Sequence, residues 1–474
     1  MTTPAPTSDR TGGPRGALVV LGLWTALCLA RVAGEPFDTD AWWHLRTGRW
    51  MVDHRTLPRH DVFSWVAHGE PWRLNAWLTD AILGVVGRVL PIRTTMSVAL
   101  LLGLAALAAL AYRLARRAGA PPWPAVVAAM AVEFLLTPFA FERPQILSYL
   151  LFAAVALLLP RALGGSNRAF AGVIAVTLVW ANLHLAFTAG LVLTATVSLG
   201  WALRDRRFAR PALLVAGSAL AGLLTPYGFG AYAAALSVRG ASRIIVEWQR
   251  ASLGELRDVL ILLVAAAAGW SLLRTRRYRD PVAVLPLLAF TVLFVDAVRN
   301  GPFLLLVAGP EVALGIASVR APRLRRVLAP RAGAIRDGTC LGIAVLLVAT
   351  LVGIDRLRPV DPAVYPVHAV AALRDGPRRG CRLLNEYDQG GFLLARLGPS
   401  VLVSADGRND IYGEARILEQ QHVLRGRPGA LRWIAEHRVD CVLVRPDRRL
   451  RRLLEHRGWR VVTRDPSAVL LVPR

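Results

Sequence analysis

Long apolar runs alternate along this chain with short polar segments rich in arginine, a pattern typical of a protein that crosses a membrane many times. Each run extends over roughly 17–20 residues, the length at which an α-helix crosses the hydrocarbon core of a bilayer. The pattern predicts eleven spans and therefore a polytopic α-helical membrane protein. The predicted spans are residues 17–33, 94–112, 124–141, 145–160, 169–183, 185–203, 211–224, 258–273, 281–297, 302–319 and 338–354.

The segments outside the spans predict the domain organisation. Residues 1–16 are rich in Thr, Pro, Ser and Gly, which favours disorder. Within a membrane domain at 17–354, residues 34–93 form a large first loop that ends in a short amphipathic helix at 76–92. From 355 to 474 short β-like runs alternate with helical stretches, which predicts a C-terminal α/β domain. The predicted strands are 380–384, 400–405, 440–444, 459–463 and 468–472.

Composition and charge agree with a membrane protein: 54% of the residues are hydrophobic, and the mean hydropathy is +0.43. The formal net charge of +25 raises the possibility of nucleic-acid binding, but the distribution of arginine argues against such a partner. The chain contains no lysine, and 21 arginines lie in one alternating set of segments, against six in the short loops of the other set. This bias orients the protein in a cell membrane, with the N-terminus cytoplasmic and the first loop and C-terminal domain extracytoplasmic. The N-terminal sequence does not resemble a cleaved signal peptide.

The four cysteines are too few for a disulfide framework. Cys28 and Cys340 lie within predicted spans, where cysteine acts as a small apolar residue. Cys381 and Cys441 lie in strand-like runs of the extracytoplasmic domain, where a bridge between them is possible in an oxidising compartment. Their spacing alone does not fix the geometry of a bridge.

The most unusual segment directly follows the first span, where Asp38, Asp40 and His44 lie together in an aromatic setting. Two carboxylates at this spacing can share a divalent cation such as Mg²⁺ or Mn²⁺, and His44 can orient one of them or bind a softer metal. Alternatively, one aspartate acts as the general base that takes a proton from a hydroxyl group. A third interpretation is that Asp38 caps a short helix that begins near Ala41.

Tryptophans in the same loop also have two interpretations. An amphipathic ring suits the headgroup layer of a membrane, and this is the favoured role for Trp50, Trp72 and Trp77. Aromatic rings also stack on the apolar faces of sugars, much as they pack against other amphipathic ligands. For Trp42 and Trp43 the neighbouring acids make this second, substrate-binding role as reasonable as the first.

Further polar residues lie at predicted span ends on the same side of the membrane. Arg143 and Arg299 can bind a phosphate or pyrophosphate through charge-assisted hydrogen bonds, or can pair with neighbouring acids or lipid headgroups. His184 is a candidate substrate contact, although histidine at this position is more often a polar helix end. Glu247 is the second candidate for a catalytic base. Ionisable groups at such depth usually line a cavity.

Two segments of the C-terminal domain, 385–392 and 404–413, each follow a strand-like run and precede a helical one. Loops at the carboxyl ends of strands usually bind the ligand of an α/β sheet. Asp406, Arg408 and Asp410 are therefore candidate substrate contacts, although capping aspartates and conformational glycines would explain the segments equally well. No phosphate-loop or dinucleotide pattern is present, so no nucleotide cofactor is expected.

The order of these motifs resembles a group of bacterial multi-pass proteins near the GT-C glycosyltransferases, which are similar to lipid-linked-sugar mannosyl- and arabinosyltransferases. The resemblance rests on residues 38–48, 247–248 and 385–413 and covers nearly the whole chain in organisation. It implies a GT-C-like fold and a polyprenyl-phosphate sugar donor, with Asp38 or Asp40 as the base or metal ligand in an inverting displacement. The chain has no lysine to neutralise the donor phosphate, so arginine would serve.

The sequence thus predicts a membrane glycosyltransferase that acts on an envelope glycan, lipid or protein acceptor. Two alternatives remain at this point. A transporter of lipid-linked glycans would carry polar residues at mid-membrane depth along several spans, whereas the charges here cluster at the span ends. A non-catalytic envelope assembly protein would use the C-terminal domain for binding and would tolerate loss of the acidic pair.

Overall fold

The chain folds into a helical membrane body joined to a C-terminal α/β domain. The computed structural model describes residues 14–33, 37–237, 246–319, 360–375 and 380–474. Ten of its helices coincide with ten of the eleven predicted spans. They are α1 (Pro14–Ala33), α4 (Ile92–Arg117), α5 (Pro122–Leu136), α6 (Gln145–Leu163), α7 (Asn167–Leu183), α8 (Phe187–Asp205), α9 (Ala209–Gly222), α11 (Leu256–Arg274), α12 (Pro281–Asp296) and α13 (Gly301–Ser318).

Within the described residues, seven helices are long and apolar enough to cross a membrane, while α7, α9 and α12 are shorter apolar helices. The predicted fold class, a polytopic α-helical protein with an α/β domain, is confirmed. The eleventh predicted span, 338–354, lies outside the described residues, as does the boundary predicted between membrane domain and C-terminal domain. A short helix, α10 (Phe229–Ser237), follows the turn after α9.

The first loop is more helical than its polar sequence suggested. It contains α2 (Thr39–His54) and α3 (Trp77–Val89), of which only the second was predicted as a full helix. Asp38 caps α2 by accepting hydrogen bonds from two backbone N–H groups. The helices cross at Gly48 and Gly84, where a Cβ atom on either glycine would collide with the backbone of the other helix. This close approach explains the glycine that follows Thr47.

The C-terminal domain has a five-stranded sheet with the order β2-β1-β3-β5-β4, in which β1, β2 and β3 are parallel and β4 and β5 antiparallel to their neighbours. The apolar strands β3 and β5 are fully buried at its centre, whereas β4, with arginine at both ends, forms an edge. Its strands are β1 (Arg382–Asn385), β2 (Leu402–Val403), β3 (Cys441–Val444), β4 (Arg460–Arg464) and β5 (Val469–Val472). Its helices are α14 (Val367–Asp375), α15 (Gly390–Leu397), α16 (Asn409–Leu424), α17 (Ala430–Glu436) and α18 (Arg449–His456).

A disulfide joins Cys381 to Cys441, so one of the possibilities left open by the sequence is realised. Their Cα atoms are 6.1 Å apart, and both residues are buried. Because β1 and β3 are hydrogen-bonded neighbours, the bridge fixes the two central parallel strands together. The bridge lies directly before β1 and at the amino end of β3.

The first loop and the C-terminal domain share one hydrophobic core. Trp42 is 3% exposed and packs edge-on against Phe37, Tyr365 and Phe392. Gly391 at the start of α15 lies so close to α2 that a Cβ atom would be 2.7 Å from the carbonyl oxygen of Thr39. Gly391 therefore allows α15 to touch α2, and α2 belongs to the core of both units.

A buried ion pair fastens the same interface. Arg408 donates to Asp61 at 2.6 Å and to both carboxylate oxygens of Asp406 at 2.8 and 2.6 Å, and all three side chains are fully buried. Tyr412 also donates to Asp406 at 2.7 Å. Asp61 in turn accepts hydrogen bonds from the backbone N–H groups of residues 63 and 64. One guanidinium thus connects the first loop to the domain 347 residues further along the chain.

Replacing this guanidinium should destabilise the whole interface. Arg408→Met keeps an apolar stem but leaves two carboxylates buried without a cation, which costs about 3–5 kcal/mol. We expect a lower melting temperature and faster proteolytic release of the C-terminal domain from the detergent-solubilised protein. Arg432→Gln, at a side chain that is 83% exposed in the same domain, is the control. Equal stability of the two variants would contradict the structural role of Arg408.

Candidate active site

A cavity of about 320 Å³ lies where the first loop, the ends of the membrane helices and the C-terminal domain meet. Segments from all three regions contribute to its wall, so it forms only in the assembled fold. Eight residues that the sequence indicated line this cavity: Asp40, Trp43, His44, Arg143, His184, Glu247, Arg299 and Asp410. The sequence analysis did not single out Asn75, Gln145 or Trp248 as ligand contacts, and they line it as well.

Arg143 lies at the centre of the charges around this cavity. It follows α5 and forms a bidentate pair with Asp38, at 2.8 and 3.0 Å. Its Nη1 atom is also 3.0 Å from Asp40 and 3.3 Å from Glu247. Burial disfavours the charge of Arg143, but the attraction of the three carboxylates outweighs burial and raises the pKa of the guanidinium. One guanidinium that stays charged therefore contacts three carboxylates, which come from two separate segments.

Asp38 is held in place by contacts on every side. Its Oδ1 atom caps α2, both of its oxygens accept from Arg143, and its side chain is 6% exposed. Its backbone N–H donates to Glu142 at 3.3 Å. The cap of α2 and the contact with Arg143 therefore involve the same carboxylate.

Asp40, two residues after Asp38, faces the cavity with 23% of its side chain exposed. Burial raises the pKa of this carboxyl to about 6, with the charge of Arg143 opposing the rise and that of Asp38 adding to it. Gly407 of the C-terminal domain packs directly on this carboxylate, where a Cβ atom would collide with it. Among the acids of the first loop, Asp40 combines access to the cavity with a pKa that allows proton exchange near neutral pH.

His44 has a partner that the sequence analysis missed. Its Nδ1 atom is 2.6 Å from Asp80 of α3, a carboxylate with no exposed surface. Trp43 stacks on the imidazole ring with 3.6 Å between ring centroids. The carboxylate and the stacked ring together fix the orientation of His44 in the cavity wall. The available signal was an aspartate on the otherwise apolar face of the amphipathic helix at 76–92.

On the membrane side of the cavity, His184 and Arg299 have separate environments. His184 is 2.8 Å from the hydroxyl of Ser148, and burial followed by the charge of Arg299 lowers the pKa of its imidazole to about 3. It is therefore neutral at physiological pH. The guanidinium of Arg299 lies 4.1 Å from the ring centroid of Trp248. Within the described part of the chain, the ion pairs around the cavity do not include Arg299, so its charge faces the cavity.

The C-terminal domain forms the roof of the cavity with the two loops that follow β1 and β2. Tyr387 and Asp388 come from the segment after β1, and Gly407, Asn409 and Asp410 come from the segment after β2. Tyr387 donates a 2.7 Å hydrogen bond to Asn409, which joins the two loops to each other. The carboxyl ends of these parallel strands thus point at the cavity, as the sequence led us to expect.

Three sequence-predicted substrate contacts lie elsewhere. Asp406 and Arg408 are fully buried in the ion pair with Asp61, so they position the roof and have no surface for a ligand. Trp42 is buried in the aromatic core between α2 and α15, on the side of α2 opposite Trp43. Trp72, expected at the membrane interface, is 3% exposed and packs on Arg408. Long-range partners account for each of these differences.

Arg143 contacts both carboxylates of the acidic pair, at the position where the sequence suggested a divalent cation. Both oxygens of Asp38 are engaged by Arg143, and the same guanidinium contacts Asp40. In the part of the chain that the structure describes, no group of three or more His, Cys, Asp or Glu residues is placed to hold a metal ion. The guanidinium thus takes the position between Asp38 and Asp40 that the sequence suggested for Mg²⁺ or Mn²⁺.

Removal of the Arg143 charge should destabilise the protein more at alkaline than at acidic pH. In Arg143→Gln the carboxylates of Asp38, Asp40 and Glu247 lose their cation, and the pKa of Asp40, already about 6, rises further. At pH 5 Asp40 binds a proton and the repulsion among the carboxylates is reduced, whereas at pH 8 Asp40 is ionised and the loss reaches about 3–5 kcal/mol. Melting temperatures at both pH values test this expectation. Arg143→Lys keeps the charge and should lose less at pH 8, and an equal loss at both pH values would refute the charge assignment.

Comparisons with known proteins find similarity in structure alone. No protein-family model matches the chain, and no curated protein matches its sequence. The solved structures that resemble it are membrane glycosyltransferases, at sequence identities that show the fold and nothing finer.

Structures of three of these proteins match most of this chain. Archaeal oligosaccharyltransferase AglB from Archaeoglobus fulgidus, in complex with an inhibitory peptide and a dolichol-phosphate, matches with a TM-score of 0.61 and 12% identity over 91% of this chain and 69% of its own. ArnT from Cupriavidus metallidurans, bound to undecaprenyl phosphate, matches with a TM-score of 0.52 and 15% identity over 96% of this chain and 97% of its own. Arabinofuranosyltransferase AftD from Mycobacteria matches with a TM-score of 0.55 and 16% identity over 98% of this chain and 40% of its own. The structure of the Archaeoglobus protein in complex with Zn and sulfate matches with a TM-score of 0.55 and 13% identity over 90% of this chain and 68% of its own. The chain therefore has the fold of the GT-C glycosyltransferases.

Proposed function

We propose that the protein transfers a sugar from a polyprenyl-phosphate donor to a hydroxyl group of an envelope acceptor, and that the transfer takes place in the cavity around Asp40. The observation that carries this proposal is a cavity-lining carboxylate, Asp40, beside two arginines at the ends of membrane helices. A carboxylate can take a proton while guanidinium groups bind a phosphate. Similar structures hold dolichol-phosphate and undecaprenyl phosphate, which supports a lipid-phosphate ligand here.

The proposed reaction is a single displacement at the anomeric carbon of the sugar. The acceptor oxygen forms a bond to this carbon while the bond from the carbon to the phosphate oxygen breaks. The acceptor proton passes to Asp40, and the electron pair of the broken bond leaves with the polyprenyl phosphate. Arg299 and Arg143 stabilise the negative charge that develops on the leaving phosphate. Attack from the side opposite the phosphate inverts the anomeric centre.

Three acids in or next to the cavity have distinct roles in this proposal. Asp40 is the base because it is accessible and its pKa, about 6, is close to physiological pH. Asp38 is a positioning residue because both of its oxygens are occupied by Arg143. Glu247, which is 25% exposed and 3.3 Å from Arg143, is the second candidate for the base. His44, oriented by Asp80, is placed to hold the acceptor or the sugar through its second nitrogen.

The cavity and its roof lie on the extracytoplasmic face in this proposal. The arginine-rich segments between spans define the cytoplasmic side, and the cavity lies at the opposite helix ends. The Cys381–Cys441 disulfide supports the same orientation, because disulfides persist in oxidising compartments. The roof loops at 387–388 and 407–410 are placed to select the acceptor.

Replacing the proposed base should abolish transfer without unfolding the protein. We expect Asp40→Asn to lower the turnover rate by at least about 100-fold, the usual contribution of general base catalysis. The measurement is transfer of radiolabelled sugar from polyprenyl-phosphate donors in membranes, with total envelope extract as acceptor. Asp53→Asn is the matched control, because Asp53 lies on the same helix with a half-exposed side chain outside the cavity.

The control variant should keep its activity to within about twofold, as expected for a surface substitution. Equal activity of the Asp40 and Asp53 variants would move the base to Glu247 or would show that this site is not catalytic. Wild-type membranes that transfer no sugar from any of these donors would contradict the proposed function itself.

Removal of divalent metal should leave transfer unchanged, because Arg143 supplies the positive charge between Asp38 and Asp40. The measurement is the same transfer assay after washing the membranes with EDTA. Loss of activity that Mg²⁺ or Mn²⁺ restores would show that a metal binds elsewhere or displaces Arg143, and would contradict this part of the proposal.

A further inference from the structure

A second cavity of about 340 Å³ lies on the other side of α2. The residues that line it follow the helical period, since Trp42, Leu45 and Arg49 lie three and four positions apart on one face of α2. Asp40, Trp43 and His44 lie on the face that lines the candidate active site. The two cavities are therefore separated by the thickness of a helix and share no lining residue.

Three arginines from three different elements converge on this second cavity. Arg49 comes from α2, Arg93 from the first turn of α4 and Arg396 from α15 of the C-terminal domain. Two are held over aromatic faces, with Arg396 5.1 Å from the ring centroid of Trp42 and Arg93 5.6 Å from that of Phe37. Among the described residues that line the cavity there is no carboxylate. The arrangement concentrates positive charge in a concave site.

These charges disfavour one another in the protein as it stands. Burial, followed by repulsion from Arg93 and Arg49, lowers the pKa of the Arg396 guanidinium. Like charges gathered around a cavity favour the entry of an anion. Guanidinium groups bind phosphate oxygens with paired hydrogen bonds, so a phosphate group is the anion that this geometry suits best.

The border of the cavity identifies the kind of phosphate. Pro91 and Ile92, which line it, directly follow α3 and begin the membrane helix α4. At the end of α3, Val89 and Leu90 expose 77% and 51% of their surface. Apolar side chains exposed next to the first turn of a membrane helix suit contact with acyl chains. A ligand at this position would therefore meet cations at its polar end and an apolar surface beside it.

We propose that this cavity binds the phosphate group of an anionic phospholipid, with the guanidinium groups around the headgroup and the acyl chains along the exposed end of α3. The site is separate from the reaction proposed at Asp40 and does not depend on it. Because its arginines come from the first loop, a membrane helix and the C-terminal domain, a bound lipid connects all three. The lipid thereby stabilises the C-terminal domain in its position over the membrane surface.

Native mass spectrometry of the full-length protein with phosphatidylglycerol or phosphatidylcholine of identical chains tests this proposal. We expect the wild type to retain phosphatidylglycerol, and the Arg49→Gln/Arg396→Gln variant to bind it about fivefold more weakly for each arginine removed. Arg432→Gln, with a highly exposed side chain on α17, is the control and should bind as the wild type does. Without lipid, the double variant should melt at the wild-type temperature or above, because repulsion between cations is relieved.

The outcomes separate the sources of the anion. Equal retention of the two lipids by the wild type would overturn the proposal, and so would unchanged phosphatidylglycerol binding in the double variant. Inorganic phosphate or glycerol phosphate should not compete at the concentration of the lipid. Competition by either at that concentration would identify a site for free phosphate and would overturn the lipid assignment. Binding restored by Arg49→Lys/Arg396→Lys would support charge, rather than side-chain packing, as its cause.

Discussion

The position of one guanidinium among three carboxylates organises the candidate active site. Arg143 contacts Asp38, Asp40 and Glu247, which come from the beginning of α2 and from the segment before α11. Carboxylates this close together and removed from water would otherwise bind protons or move apart. Because Arg143 holds Asp38 with two hydrogen bonds and Asp40 with a single contact, the second acid remains available to a ligand.

A second arginine, Arg408, holds the C-terminal domain in place over the cavity that Arg143 borders. Arg408 joins the first loop to the C-terminal domain and has no access to solvent, whereas Arg143 and Arg299 border a cavity. The difference in burial separates a structural cation from cations that can meet a substrate. Since Arg408 fixes the loop at 404–410 against Asp61, it places Gly407 on the carboxylate of Asp40. The roof of the cavity is thus built by the same contacts that assemble the fold.

Much of this architecture follows from local sequence patterns. Apolar length predicted the membrane helices, and alternation of β-like and helical runs predicted the sheet, because each of these signals depends on neighbouring residues. The acid-rich segment after α1 and the loops after β1 and β2 were also predicted, and they meet at one cavity. The burial of Asp406 and Arg408 could not be predicted, because their partner Asp61 lies more than 340 residues earlier in the chain. For the same reason the sequence could not pair His44 with Asp80, or show that Trp42 and Trp43 face different sides of α2.

The most direct test of this account is an experimental structure of the protein with a polyprenyl phosphate bound. We expect a phosphate within hydrogen-bond distance of Arg299 or Arg143, beside Asp40 and beneath the roof loops of the C-terminal domain. The carboxylate of Asp40 would then face the space from which an acceptor approaches. A phosphate bound away from this cavity, with Asp40 facing protein alone, would contradict the assignment of the cavity as a site of sugar transfer.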